Sequence, residues 1–137
     1  MKPVCLVLGA GAGIGGTVAT KFAQEGYHSS LCRRSDKEGL DRLVNNIKDQ
    51  GGSANGYLMN AIEDNAIEDV IASIELDIGP IEVLVYNLGA QTGMKLLEQT
   101  SHKEFEWGWR MASFALFRAA KVLCPLMVER GKGTFLV

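Results

Sequence analysis

The sequence predicts an α/β domain whose core is a doubly wound parallel sheet with helices on both faces. Short apolar runs alternate with amphipathic stretches in units of roughly 30 residues, as in strands joined by crossover helices. The run over Ile81–Tyr86 is the strongest strand signal, and the almost wholly apolar run over Val4–Leu8 leads into a glycine-rich stretch. The 137 residues fit a single domain, 1–137, without a repeat or a linker.

The first half of the chain predicts two helices and two further strands. A helix over 18–25 follows the glycine-rich stretch, and a weak strand follows over 28–32. Ser35 or Asp36 is placed to cap the second helix, which precedes a third strand over 53–59. Four residues at helical spacing form the apolar face of that second helix: Leu40, Leu43, Val44 and Ile47.

The second half predicts two more helices and a fifth strand. After the strand over Ile81–Tyr86, residues 87–93 are predicted to be loop. A long helix begins at 101 or 105 and runs to 128, and we expect Pro125 to kink it or to mark its last turn. The fifth strand begins at 134. The apolar positions of the third helix are Ala66, Ile67, Val70, Ile71 and Ile74, and those of the long helix include Phe114, Phe117, Val122 and Leu126.

The composition argues against several classes of partner. Hydrophobic residues make up 47% and charged residues 22% of the chain, which is the profile of a soluble globular protein. The net charge of −2 argues against a nucleic-acid partner bound through bulk charge. The first residues show no signal peptide, and no apolar run is expected to reach the length of a membrane span. We therefore expect a cytoplasmic protein with no membrane partner.

Three cysteines predict unpaired thiols in a reducing compartment. They are far apart, odd in number and form no C-x-x-C pair. Cys5 and Cys124 lie in apolar runs, so we expect both to be buried core thiols. Cys32 ends the second strand close to the predicted ligand crevice, and an inert thiol is favoured there too. No metal site is predicted.

The glycine-rich stretch stands between the first strand and the first helix, where it forms a phosphate-binding turn. Its glycines allow a tight turn and a close approach to a ligand, and the start of the helix favours an anion. The spacing G-x-G-x-x-G fits residues 11–16, whereas G-x-x-x-G-x-G fits residues 9–15. We prefer the second register because it puts Gly9 directly at the end of the strand. The stretch therefore predicts a bound dinucleotide.

Four stretches together resemble the short-chain dehydrogenase/reductase family. Residues 8–15, LGAGAGIG, resemble its T-G-x-x-x-G-I-G, with Leu8 in place of Thr. Residues 84–89, LVYNLG, resemble its L-V-N-N-A-G, and residues 79–84, GPIEVL, are similar to its G-x-I-D-x-L. Residues 123–135 resemble the end of its long interface helix and the start of its fifth strand. The resemblance runs the length of the chain and implies the amino-terminal, cofactor-binding portion of a Rossmann-type fold, incomplete after the fifth strand.

The resemblance implies a nicotinamide dinucleotide at the ends of these strands. The turn over 9–15 would hold the pyrophosphate, with Ile14 in the same backbone cradle. Asn60 stands where the family usually has an Asp that contacts the adenine amino group, and its amide oxygen can accept the same bond. Asn87 and Gly89 would line the floor of the site; alternatively, Asn87 is a strand-end residue that bonds its own backbone. The implied cofactor-binding residues are Gly9, Gly13, Ile14, Gly15, Arg33, Arg34, Asn60, Ala61, Asn87, Leu88 and Gly89.

Arg33 and Arg34 favour NADP(H) over NAD(H). A carboxylate at the end of the second strand would accept hydrogen bonds from the ribose hydroxyls, whereas an Arg there can pair with a 2′-phosphate. The sequence offers two guanidiniums at this point and no carboxylate until Asp36, which we expect to lie past the ribose. The alternative is a pair of solvated arginines in a surface turn.

The resemblance also implies hydride transfer between the nicotinamide and a carbonyl or alcohol, but the residues for that chemistry are missing from the chain. The family uses a Ser, a Tyr four residues before a Lys, and an Asn in the long helix. None of the three tyrosines here precedes a Lys at that spacing, and the register of Pro125 puts Ala112 at the Asn position. We expect the family's Ser, Tyr and Lys to lie beyond Val137, and this chain to be inactive alone.

Three functions follow from these observations. The chain is the NADP(H)-binding portion of a short-chain oxidoreductase; or it is a truncated, non-catalytic dinucleotide-binding form that acts as a binding or dimerisation module; or it is an ordinary Rossmann domain that uses residues 11–16 to bind a flavin or NAD. We expect a homo-oligomer formed through the long helix around 105–128. Its aromatic residues are more typical of a core or an interface than of a ligand platform: Phe105, Trp107, Trp109, Phe114 and Phe117.

Overall fold

Five parallel strands form one sheet in the computed structural model, which describes residues 2–89 and 95–137. The strands are β1 Val4–Leu8, β2 His28–Arg33, β3 Ser53–Leu58, β4 Ile81–Tyr86 and β5 Thr134–Leu136. The helices are α1 Ile14–Gln24, α2 Lys37–Asp49, α3 Ala66–Asp77, α4 His102–Trp109 and α5 Ala115–Arg130, with a short 3₁₀ turn over Leu97–Gln99. Residues 90–93 of the predicted loop lie outside the described residues.

The strand order β3-β2-β1-β4-β5 confirms the predicted doubly wound sheet. The chain moves outward from β1 to β3 and then crosses back to place β4 on the other side of β1. Leu8 at the end of β1 pairs with Cys32 of β2 and with Tyr86 of β4, so three strand ends lie side by side. In open parallel sheets, ligands bind at such a reversal of strand order.

Both faces of the central strand β1 are buried. Val4, Leu6 and Leu8 pack on one side of the sheet with α3 and α5. Cys5 and Val7 pack on the other side with α1 and α2. Successive side chains of a strand point to opposite faces, so an unbroken apolar run is what a strand covered on both faces requires.

The first two helices begin differently: α1 has no side-chain cap, whereas a side chain caps α2. α1 begins at Ile14, four residues earlier than the predicted helix over 18–25, and the glycine stretch thus supplies its first turn. Asp36 is the cap of α2, as one of the two predicted alternatives has it: its carboxylate accepts from the N–H of Gly39 at 3.0 Å. Asp36 adopts a left-handed backbone conformation, with φ of 64°.

The long helix buries one stripe and exposes two of its predicted apolar positions. Phe114 and Phe117, predicted to lie in a core or an interface, are 40% and 61% exposed, so they do not lie in the core. The helix continues to Arg130, so Pro125 does not mark its last turn. A π-helical turn over Arg110–Phe114 joins α4 to α5. The buried stripe follows at four-residue spacing: Met111, Ala115, Ala119, Leu123 and Met127.

The helical stretch His102–Arg130 also corrects the expectation about membrane spans. Its 29 residues are long and apolar enough to cross a membrane by length and composition alone. The core helix of a soluble protein passes the same test but is mostly buried, whereas 28% of the apolar window is buried here. The prediction that no apolar run reaches this length is therefore wrong, and the compartment stays a prediction.

The cysteines differ in their surroundings. Cys5 and Cys32 are buried, and burial raises the pKa of both thiols to about 12. Cys124 is exposed, so the prediction of a core thiol at that position is wrong. It follows Leu123 of the buried stripe by one position, which turns its side chain away from the sheet.

We expect one thiol to react rapidly in the folded protein. Treatment with an excess of iodoacetamide at pH 8 should alkylate Cys124 within minutes and leave Cys5 and Cys32 intact, because buried, protonated thiols are poor nucleophiles. Peptide mass spectrometry identifies the modified site. Cys124→Ser should remove the rapid phase, and equal labelling of all three thiols would contradict the burial described here.

Candidate dinucleotide-binding site

The glycine loop is fixed to both strands that neighbour β1. The backbone N–H groups of Gly9 and Ala10 donate to the carbonyl of Cys32 at the end of β2, at 3.0 and 2.9 Å. Gly9 has φ of +88°, and a Cβ at this position would lie 2.6 Å from the carbonyl oxygen of Asn87 after β4. A glycine is therefore required where the loop leaves β1.

The first turn of α1 packs as closely against the loop. A Cβ on Gly15 would lie 2.3 Å from the carbonyl oxygen of Gly9. A Cβ on Gly16 would lie 2.2 Å from the carbonyl oxygen of Gly11. Gly16 is not one of the glycines of the preferred register. Gly13 has open space instead. The geometry thus requires glycine at two positions of the preferred register, Gly9 and Gly15, and leaves room for a ligand beside Gly13.

The positive end of α1 is free to receive an anion. Gly13 precedes the helix without a side-chain cap, and the first turn has no acidic residue. The first N–H groups of a helix lack intrahelical acceptors, and its dipole favours negative charge there. Ile14 is 72% exposed beside them. These backbone groups, together with the glycine cradle, fit the pyrophosphate of a dinucleotide.

Asn87 connects β4 to the glycine loop. Its side-chain amide donates to the carbonyl of Gly9 at 3.1 Å, and its backbone N–H donates to that of Leu8 at 2.9 Å. The side-chain amide of Asn87 thus donates to the glycine loop, and the alternative of a bond to its own backbone stays a prediction. Leu88 lies against the same glycine, 3.3 Å from where a Cβ on Gly9 would be, and Gly89 is exposed next to it.

Arg33, at the end of β2, lies over the start of α2. Its guanidinium pairs with the carboxylate of Asp36 at 3.3 Å, and its side chain is only 19% exposed. A Cβ on Gly39 would lie 2.5 Å from Arg33 Nη1 and 2.3 Å from Asp36 Oδ2. Arg33 is therefore not a solvated arginine. Asp36 lines the same cavity of about 340 Å³ as Arg33 and residues of the glycine loop.

Arg34 and Asn60 line a second cavity, of about 400 Å³, at the ends of β2 and β3. Arg34 is exposed, as in the alternative of a solvated arginine. The side-chain oxygen of Asn60 accepts from the backbone N–H of Ile62 at 3.3 Å, which forms a local turn. Ala61 is buried. The two arginines predicted to act together thus line different cavities.

Comparison with known proteins gives this arrangement a family. The family model for short chain dehydrogenases matches residues 3–137. The chain belongs to the short-chain dehydrogenase family. It is 28% identical over 131 residues to 2,3-dihydro-2,3-dihydroxybenzoate dehydrogenase of Bacillus subtilis. The aligned residues make up 96% of this chain and 49% of that protein. The chain spans about half the length of the curated relatives it matches.

Solved structures of short-chain dehydrogenases share the fold closely. A variant of actinorhodin polyketide ketoreductase with NADPH has a TM-score of 0.89 and 28% identity, covering 98% of this chain and 51% of its own. Xylitol dehydrogenase with bound NAD⁺ has a TM-score of 0.88 and 25% identity, covering 97% of this chain and 51% of its own. Both nicotinamide cofactors therefore occur among similar structures.

Arg118 of α5 holds the loop that carries Asn60 and Ala61 in this family member. It donates to the carbonyl oxygens of Ala61 and Glu63, each at 2.9 Å, and pairs with the carboxylate of Glu68 at 2.7 Å. The hydrogen bond from Arg118 holds the pKa of Glu68 below its usual range. Sequence reasoning missed Arg118; its one signal is a cation among the apolar residues of α5.

The structure assigns no proton-transfer role to Tyr86. Its hydroxyl donates to the carbonyl of Met111, which lies in the π-helical turn. Burial raises the pKa of Tyr86 to about 12, so the phenol stays protonated and acts as a hydrogen-bond donor. Ala112, which the sequence predicts at the position of the family's helical Asn, is exposed in the same turn. A methyl side chain there can neither donate nor accept a hydrogen bond.

We expect Gly9 and Gly11 to differ in their tolerance of a methyl group. Gly9→Ala should lower the free energy of unfolding by about 2 kcal/mol or more, because it combines a positive φ with a contact to the Asn87 carbonyl. Gly11→Ala is the matched control, since nothing lies within 4 Å of its Cβ position. Urea unfolding measures both changes. Equal losses, or a larger loss at Gly11, would contradict the register that begins at Gly9.

The ion pair of Arg118 and Glu68 should make stability depend on pH. Because the folded-state pKa of Glu68 is lowered, its contribution is present above its unfolded pKa and disappears as the pH falls through the folded value. Glu68→Gln should therefore cost up to about 1 kcal/mol at pH 7, and this difference should vanish in acid. Thermal unfolding from pH 7 down to pH 3 measures it. Glu63→Gln removes an exposed carboxylate from the loop before α3 and should behave as wild type; a constant difference at Glu68 would contradict the ion pair.

Proposed function

We propose that this chain is the NADP(H)-binding portion of a short-chain oxidoreductase that transfers hydride between nicotinamide and a carbonyl or alcohol. The observation that carries the proposal is the cradle in which the Gly9 loop, closed by Asn87, leads into the uncapped start of α1. The bound dinucleotide would supply or accept the hydride. The chain's own part is to hold the pyrophosphate on the N–H groups of α1 and the adenosine half near the end of β2.

The preference for NADP(H) is supported by the charges at the end of β2. Cys32 occupies the last buried position of the strand, where a carboxylate would favour the ribose hydroxyls of NAD(H). Arg33 follows it and offers a planar guanidinium that suits a 2′-phosphate. Since similar structures hold either NADPH or NAD⁺, the proposal depends on Arg33 and not on the family.

A second candidate, a non-catalytic dinucleotide-binding module, is favoured by the missing chemical groups. The 137 residues contain no Tyr four residues before a Lys, and Ala112 stands at the position of the helical Asn. We propose that the chain alone binds cofactor without turning it over. The exposed aromatic residues of α4, α5 and the π-helical turn between them support self-association through this helical stretch: Phe105, Trp109, Phe114 and Phe117.

Titration with both reduced cofactors tests the proposal. We expect NADPH, followed by its fluorescence, to bind the full chain at least about tenfold more tightly than NADH, because a charge-assisted pair with the 2′-phosphate is available only to NADPH. Arg33→Gln should remove most of that difference. Tighter binding of NADH would defeat the cofactor preference, and absence of binding would defeat the function. Oxidation of NADPH with simple ketones or aldehydes by the chain alone would contradict the proposed lack of turnover.

A further inference from the structure

The cavity beside the glycine loop contains a second arginine that the sequence did not single out. Arg42, in the second turn of α2, lines this cavity of about 340 Å³ together with Arg33, Asp36 and residues Gly11 and Ala12 of the loop. The same face of α2 packs against the first turn of α1, where Leu43 Cδ2 lies 3.2 Å from the Cβ position of Gly16. The cavity is therefore a cleft between the starts of α1 and α2. Arg42 forms part of its wall.

The charges of this cleft do not come from Arg33 alone. Arg33 and Asp36 pair at 3.3 Å, so the formal charges of these two groups cancel. Arg42 makes no ion pair within residues 2–89 and 95–137. The three groups together carry a net charge of +1, which would be zero without Arg42. A dianionic group that enters the cleft consequently depends on Arg42 for its uncompensated positive charge.

Arg34 is less suited to that role, although it is adjacent to Arg33 in sequence. It lines the other cavity, with Leu58, Met59 and Asn60 at the end of β3. Consecutive residues at the end of a strand point in opposite directions, which separates the two guanidiniums. The guanidinium that shares a cavity with Arg33 is that of Arg42, in the second turn of α2.

We propose that Arg42 acts with Arg33 to bind the 2′-phosphate of NADP(H), and that the carboxylate of Asp36 limits this preference. The proposal rests on the proposed function, because it names the group that confers specificity at the same site. Two guanidiniums can each give charge-assisted hydrogen bonds to phosphate oxygens. Asp36 weakens phosphate binding in two ways: its carboxylate already forms an ion pair with the guanidinium of Arg33, and its negative charge repels the phosphate.

Asp36 can be changed without losing its structural role. It caps α2 through its side-chain oxygen and adopts the left-handed conformation, φ 64°. Asn is as good a cap as Asp and tolerates the same backbone conformation. Asp36→Asn therefore removes the charge and preserves the local structure. Arg42 is an exposed helical residue, and Gln has a helix propensity close to that of Arg, so Arg42→Gln should also fold.

The experiment compares dissociation constants of the full chain for NADPH and NADH, with 2′,5′-ADP and 5′-AMP as fragments that differ in the 2′-phosphate. Arg42→Gln should lower the NADPH preference by about tenfold and leave NADH binding unchanged. Asp36→Asn should raise that preference by severalfold. Lys48→Gln, which makes the same change in net charge elsewhere on α2, is the matched control and should have no effect. The fragments should show the same order of changes.

The outcomes separate this proposal from the proposed function. If the wild type prefers NADPH and Arg42→Gln keeps that preference, the role of Arg42 is overturned while the function stands. Loss of the preference in Arg34→Gln with none in Arg42→Gln would also overturn it. If Lys48→Gln weakened NADPH as much as Arg42→Gln, the effect would be one of overall charge and the site would be refuted. A wild type that binds neither cofactor refutes both proposals.

Discussion

The close approach of three strand ends at Gly9 is the constraint on which the rest of the site depends. The carbonyl of Asn87 occupies the space where a side chain on Gly9 would be, and the Cys32 carbonyl accepts two N–H groups of the loop. The loop can therefore follow only one path between β1 and α1. That path sets Gly15 against the Gly9 carbonyl and aims the free N–H groups of α1 at the crevice. A backbone contact at the strand ends thus positions an exposed binding surface.

Polar cross-links hold the outer parts of the crevice. The turn after β2, residues 34–36, carries no apolar side chain, so packing alone would leave it free to move. On one side Arg33 and Asp36 tie the end of β2 to the start of α2. On the other, Arg118 reaches from α5 to two carbonyl groups of the loop after β3 and to the carboxylate of Glu68 in the first turn of α3. Such partly exposed ion pairs contribute little to stability, and their value here is in fixing positions.

Local patterns predicted the fold because the sheet needs little beyond local information. Strands buried on both faces must be apolar throughout, and Gly9 stands where the strand ends, so neither depends on distant residues. The errors concern choices that only packing makes. The long helix is apolar on several sides, and it is the stripe that contains Ala115 and Ala119 that packs on the core, which leaves Phe114 and Phe117 outside. Local patterns cannot reveal that Arg118 reaches Ala61, 57 positions away in the chain.

Cofactor preference is where local inference has the least power, because it depends on the sum of charges in a cleft. At the end of β2 the sequence presents arginines and no carboxylate, which taken alone predicts a strong preference for a 2′-phosphate. The left-handed backbone of Asp36 returns a carboxylate to Arg33, and the turn of α2 brings Arg42 to the same cleft. An inference from the strand-end residue alone misses both Asp36 and Arg42, since one caps α2 and the other lies in its second turn. The preference of such a site is better judged from the charges that share a cavity than from the residue that ends the strand.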